Sequence, residues 1–398
     1  MSKGFFPQSQ AASIKPSTGI AKCGACKLHK TCHTPRMKPM GKGRKNILII
    51  SDAPTELEDR KGVSFVGREG EFLKKHLTRL GVDLKRDCIR THAVTCHPKH
   101  DFTDINIDAC QSHIIKTIKK HNPILIILLG DTAIKSLMSW VWKDSVGGPG
   151  RWMGFLMPNQ KLNTWIMSTY HPKKVLYKKD PLLEKAFKAH LKTAIKKVGT
   201  RPWKKLPKYE GDVEIITNPS KAARAIEVLG RQASCLAFDY ECNCLKPEYN
   251  KAALISASIC FDNKDTIAFP FTKSVREPFI KLLRRPVCKI ACNIKFEDRW
   301  TRYHLKTGVR NWYWDTMIAA HVLDNRKEIT SLKFQSAVLL GMDCYDGHIE
   351  PFLKSDKSKL NRINEIDMRD LLLYNGLDSL LTFKVALKQI KLLNKMKG

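Results

Sequence analysis

The sequence has no long apolar run. The longest, Ile124–Leu129, is six residues, well short of the ~18 that a membrane-spanning helix needs. The opening stretch, MSKGFFPQSQ, lacks the apolar core of a signal peptide. Acidic side chains are scarce: 38 Asp and Glu stand against 70 Lys and Arg in 398 residues, a net charge of +32. There is no internal repeat and no long low-complexity tract. A hydrophobic content of 43% excludes a wholly disordered chain. The expectation is a soluble, cytoplasmic protein with no membrane association, built from two domains or three.

The positive charge is spread along the chain. Residues 1–200 hold 36 basic and 15 acidic side chains, net +21, and residues 201–398 hold 34 and 23, net +11. A folded chain of this kind favours a polyanion, because counterions released from nucleic acid drive binding. No basic amphipathic helix stands out to favour a membrane surface. The 13 cysteines are odd in number, which argues against a disulfide scaffold. Cys23 and Cys26 form a CxxC, and Cys96 and Cys110 follow much later. Four thiolates from two segments can close a tetrahedral metal site or hold an iron–sulfur cluster, or serve as buried thiols. Cys32, Cys88 and the cysteines of the second half read as packing residues.

Residues 1–20 read as a flexible tail. Asn46–Ser51, Ile124–Leu129 and Trp165–Ser168 read as buried strands, and Glu69–Leu80 and Pro181–Val198 as helices; Asp131 caps another. This alternation predicts a parallel α/β sheet over 21–198. Residues 199–211, GTRPWKKLPKYEG, carry two Pro and two Gly and read as a linker. A second α/β unit spans 212–398. Its first two strands are read at Ser234–Tyr240 and Leu254–Phe261, and a third at Asp265–Pro270. Helices are read near 275–285, 295–305, 314–325 and 367–394.

Strand alternation puts Asp239 and Glu241 on one face. Adjacent carboxylates repel unless a cation lies between them. Asn293, Glu297 and Asp298 open a helix after the strand Cys288–Cys292. Tyr374 and Asp378 are four apart on one helix face. This order of acids fits a two-metal phosphodiesterase. Through these motifs, and Asp315 in Trp-Asp-Thr-Met, residues 212–398 resemble the 3′–5′ proofreading exonuclease domain of DNA polymerase I-type enzymes. The resemblance implies a ribonuclease H-like fold and two Mg2+ or Mn2+ ions held by Asp239, Glu241 and Asp378. It further implies an outer ligand at Glu297, where the family has Asp, with Asn293 at the substrate and Tyr374 orienting the attacking water. Single-stranded 3′ ends of DNA are the implied substrate, with Trp203 and the basic linker as strand guides.

The first half resembles the iron–sulfur, or family 4, uracil-DNA glycosylases. The likeness rests on the CxxC, NILIIS followed by Asp52-Ala53-Pro54, Glu58 through Gly62 leading to Phe65-Val66-Gly67-Arg68, Cys96, Cys110, and Tyr170-His171-Pro172. It implies a three-layer α/β/α fold and a 4Fe–4S cluster on Cys23, Cys26, Cys96 and Cys110. In such enzymes a base is flipped into a pocket. Phe65 would stack on it, His171 would face the departing base, and Asp52 and His92 would line the pocket. Asp52 replaces a Glu of the family and His92 replaces its uracil-reading Asn. Active uracil excision, excision of another base, and DNA binding without catalysis stay open at this stage.

The fusion of these two halves resembles the N-terminal part of some phage family-A DNA polymerases. That implies a nuclease that acts with a polymerase on another chain, or alone, in the cytoplasm of a bacterial host.

Overall fold

The computed structural model describes residues 22–99, 103–142, 144–345, 347–354 and 359–397. The tail expected over residues 1–20 lies outside them. The chain divides into two compact units between Pro202 and Trp203.

The N-terminal unit is a five-stranded sheet, β1 (Ile47–Ser51), β2 (Cys88–His92), β3 (Leu125–Leu129), β4 (Leu156–Asn159) and β5 (Thr164–Thr169), in the order β2-β1-β3-β5-β4. Its helices are α1 (Cys23–Cys26), α2 (Glu56–Lys61), α3 (Arg68–Thr78), α4 (Asp104–His121), α5 (Asp131–Val141), α6 (Pro172–Lys178) and α7 (Pro181–Ile195). Every residue of β1 and β3 is buried, which explains their unbroken apolar runs: both sheet faces are covered. Ile47, Ile49, Leu125 and Ile127 pack with Leu73 and Leu77 of α3 and Phe187 and Leu191 of α7. The sheet is not wholly parallel. β4 runs antiparallel to β5 at the edge, where a tight turn can return the chain without a crossover helix.

The C-terminal unit holds β6 (Val213–Ile215), β7 (Cys235–Cys242), β8 (Leu254–Phe261), β9 (Asp265–Pro270), β10 (Cys288–Ala291) and β11 (Trp312–Asp315), in the order β11-β10-β7-β8-β9-β6. Its helices are α8 (Pro219–Gln232), α9 (Lys273–Arg284), α10 (Ile294–Trp300), α11 (Thr316–Leu323), α12 (Leu332–Leu340), α13 (Glu350–Leu353) and α14 (Met368–Lys397). Two expectations need correction. The first strand is β6, an edge strand of three residues too short to show alternation. The segment read as a helix from 314 begins as β11, drawn into the sheet by parallel pairing with β10.

The sheet has a core on each face. Phe238 and Tyr240 of β7 lie in one with Ile259 and Phe279. Ala237 lies in the other with Leu377, Leu380 and Leu381 of α14. The stretch read as a linker is pinned at both ends. Arg201 donates to the carbonyls of Asn163 and Asn122, and Tyr209 is buried in the core of the second unit.

Candidate active sites

Alternation along β7 decides the second unit's site. Because Ala237 faces α14, so do Asp239 and Glu241. There they meet Asp378, one helical turn beyond Tyr374. Asp239, Glu241 and Asp378 each offer an oxygen within 4.8 Å of the others. Burial, and then the charge of Asp378, pushes the Asp239 carboxyl well above the carboxylate range. Burial also raises Glu241, followed by the charges of Asp239, Asp378 and Glu297. Burial, and then the charge of Asp239, raises the Glu297 carboxyl, and its Oε2 has no hydrogen-bond partner. Three converging carboxylates with an orphaned fourth nearby cannot all ionise without a cation. Their all-oxygen donor set suits Mg2+ or Mn2+, so the residues present fit the ions.

Tyr374 is half-buried beside the acids. Burial, and then the charge of Asp378, raises its phenol above the ordinary value, so it remains an O–H. Asn293 sits at the N-terminus of α10 in a left-handed conformation, φ +74°. Asp315 holds that turn by accepting from the N–H groups of Asn293 and Ile294, and also caps α11. Asp298 accepts from Arg302 at 2.5 Å and from the Trp312 indole, outside the acid cluster.

Two further residues touch the acids and escaped sequence reasoning. Asn375, fully buried, donates to Asp239 Oδ2 at 2.8 Å and accepts from Ser256 Oγ at 3.0 Å. Its place, three residues before Asp378, was the available signal. The Tyr345 hydroxyl donates to Asp378, and no pattern in its own segment marks it.

In the first unit, the carboxyl ends of β1, β2, β3 and β5 bring the named residues together, as ligand sites in open α/β sheets require. A cleft of about 670 Å³ opens there, lined by Asp52, Pro54, Tyr170, His171, Lys173 and Lys178 among others. Asp52 accepts from the Ala133 N–H at 3.0 Å. It thereby caps α5, whose own N-cap, Gly130, has no side chain to do so. A Cβ on Gly130 would lie 2.3 Å from Asp52 Oδ2, so glycine is required for this approach. Burial lifts the Asp52 carboxyl to about 7.

The Lys173 N–H donates to His171 Nδ1 at 3.1 Å, which places the ring proton on Nε2; that group donates to Ser51 Oγ at 2.8 Å. Burial pushes His171 down to about 4. Phe65, at φ +59°, stacks on the ring of His92 with centroids 5.5 Å apart and planes 13° from parallel. Burial holds His92 down at about 3. The slot between Phe65, Glu58 and His171 retains about 20 Å³, room for about one water.

The cysteines draw together around α1 and α4. Cys26 Sγ accepts from Asn106, Cys96 Sγ from the Arg36 N–H, each at 3.2 Å, and Cys110 lies 3.8 Å from the Thr95 hydroxyl. Cys110 feels Cys26 and Cys23, and Cys96 feels Cys110. Burial raises the Cys32 thiol, which lies within electrostatic reach of Cys96.

Fold and site together define a two-part nucleic-acid-processing enzyme, with a glycosylase-type α/β/α unit and a carboxylate nuclease unit. Residues 39–197 match the uracil DNA glycosylase superfamily and residues 213–394 the 3′–5′ exonuclease family. The chain belongs, through its first unit, to the type-4 uracil-DNA glycosylase family, and its second unit is a 3′–5′ exonuclease domain. The type-4 enzyme of Pyrobaculum aerophilum is 31% identical over 43% of this chain and 87% of its own length. That of Archaeoglobus fulgidus is 27% identical over 47% and 92%. Brucella melitensis NrnC bound to pGG is a solved structure with a TM-score of 0.35 and 16% identity, over 46% of this chain and 81% of that one. Among the described residues no helix is long and apolar enough to cross a membrane.

Proposed function

We propose that the chain trims single-stranded 3′ ends of DNA, with Asp239, Glu241 and Asp378 holding two Mg2+ or Mn2+ ions. The convergence of these three carboxylates within 4.8 Å carries the reading. When bound, the ions supply Lewis acidity to the attacking and leaving oxygens. Asn375 fixes the rotamer of Asp239 so that one carboxylate oxygen stays free for an ion. Tyr374, kept protonated, accepts from and orients the attacking water rather than deprotonating it. Glu297 would serve as an outer ligand, and Asn293 would present its turn to the strand. As water adds to the terminal phosphorus, the bond to the 3′ oxygen breaks and a 5′-mononucleotide leaves.

The test is release of mononucleotides from an end-labelled primer with magnesium. Asp239→Ala and Asp378→Asn are each expected to lower the rate at least ~100-fold, the scale of losing a group that acts in the transition state. Equal rates in wild type and both variants would overturn the assignment.

The first unit is read as a DNA-binding domain that does not excise uracil. His92 covers one face of Phe65, which we read as the face a base would need, and a neutral His171 lacks the charge to stabilise a departing uracil anion. Cys23, Cys26, Cys96 and Cys110 are read as cluster ligands, supported by the N–H groups aimed at two of the sulfurs. A brown preparation with broad visible absorbance, lost in Cys110→Ser, is the expected result; a colourless, iron-free wild type would exclude the cluster. A polymerase on a separate chain is the partner that proofreading implies, and a bacterial host's cytoplasm, with a phage origin, is the setting that goes with it.

A further inference from the structure

A second cavity in the first unit, of about 510 Å³, shares no lining residue with the strand-end cleft. It lies between the Arg36–Gly41 segment, β2 and α4. From α4 it takes His113, Lys116, Thr117, Lys120 and His121. Their spacing of three and four puts all five on one helix face. Arg36 and Lys38 close the other side. Met37, Pro39 and Ile89 add apolar surface, and no acidic residue lines the cavity.

Some cations elsewhere are paired, as in Lys45 with Asp87, Lys135 with Asp104 and Arg299 with Glu248. Among the described residues, Arg36, Lys38, Lys116 and Lys120 have no ion-pair partner. The Nε2 of His113, in the cavity wall, is buried without a hydrogen-bond partner. Like charges gathered in a concave site repel one another, and low-dielectric walls focus their field on whatever anion enters. An apolar floor beside four free cations matches a nucleotide: phosphate on the cations, sugar or base on Met37, Pro39 and Ile89.

We propose that this cavity is a nucleotide-phosphate site, separate from the strand-end cleft, that grips the backbone of single-stranded DNA through Arg36, Lys38, Lys116 and Lys120. The same chemistry would accept a free mononucleotide. None of these residues belongs to the carboxylate site, so the proposal stands or falls independently of the exonuclease reading.

The full chain is titrated with a fluorescent oligothymidylate in EDTA, which prevents digestion. Lys116→Ala/Lys120→Ala is expected to lower the slope of log K against log salt by about 1.4, at roughly 0.7 per phosphate contact on a single strand. Both lysines are exposed, so the fold should tolerate the change. Amine acetylation read by mass spectrometry is expected to find Lys116 and Lys120 shielded in the bound wild type. Shielding that survives excess thymidine monophosphate assigns the site to the strand, and shielding that thymidine monophosphate reproduces alone assigns it to the free nucleotide. With magnesium restored, turnover at saturating primer should match wild type. An unchanged slope together with freely acetylated lysines would refute the site.

Discussion

His92 couples the stability of the first unit to pH. Burial keeps it neutral down to about 3, whereas in the unfolded chain it protonates near 6.5. Between those values the unfolded state binds the extra proton, so stability falls as pH drops through the window. From pH 7 to pH 5 that amounts to about 2 kcal/mol. His171, held down at about 4, acts in the same direction. Asp52, held up at about 7, opposes them, because there the native state binds the proton. Comparing wild type with His92→Leu isolates one contribution. Urea unfolding should show the variant losing about 2 kcal/mol less than wild type over this pH range, and parallel losses would contradict a neutral, buried ring. The residues legible in sequence were those with a local pattern: Asp239 with Glu241 by alternation, Tyr374 with Asp378 by helical spacing. Asn375 and Tyr345 act through contacts with distant residues, which no local period records. Asp52 was legible as a site position, but its capping of α5 follows from Gly130, 78 residues on.

Among the elements, α14 does most to assemble the nuclease site, and Gly376 sets how closely it lies on the sheet. A Cβ there would come within 2.3 Å of Val213 Cγ1 and 3.3 Å of Ala268 Cβ. Gly376→Ala must push α14 away from β6 or displace that edge strand. Overpacking of this kind costs about 1–3 kcal/mol, and it moves Asp378 relative to Asp239. The expected result is a lower melting temperature for the second unit together with slower mononucleotide release. A variant that melts and cleaves as wild type does would show that β6 yields freely. Strands and helices with strong periodicity were readable within a few residues, β8 and β9 to the residue. β2, Cys-Ile-Arg-Thr-His, carries one strong hydrophobe and two basic side chains, and is a strand because β1 pairs with its full length. β11 is a strand for the same reason, through β10.

At the scale of the whole molecule, two folds with different chemistry share one electrostatic task. Both halves are net positive, +21 over residues 1–200 and +11 over residues 201–398. The carboxylates proposed for catalysis are a small acidic island in the less basic half. The first unit has a cleft with a lysine-lined rim and gathered cysteines, while the His92 imidazole covers one face of Phe65. On the proposed reading, that combination predicts DNA affinity without excision. Uracil-containing single strands should bind with the same affinity as their thymine counterparts, weaken steeply with salt, and yield no alkali-labile sites after long incubation in EDTA. A tighter complex with uracil, or cleavage at uracil positions that His171→Ala removes, would mean that His92 swings off Phe65 to admit a base. Neither outcome would disturb the carboxylate site, whose geometry is set entirely within the second unit.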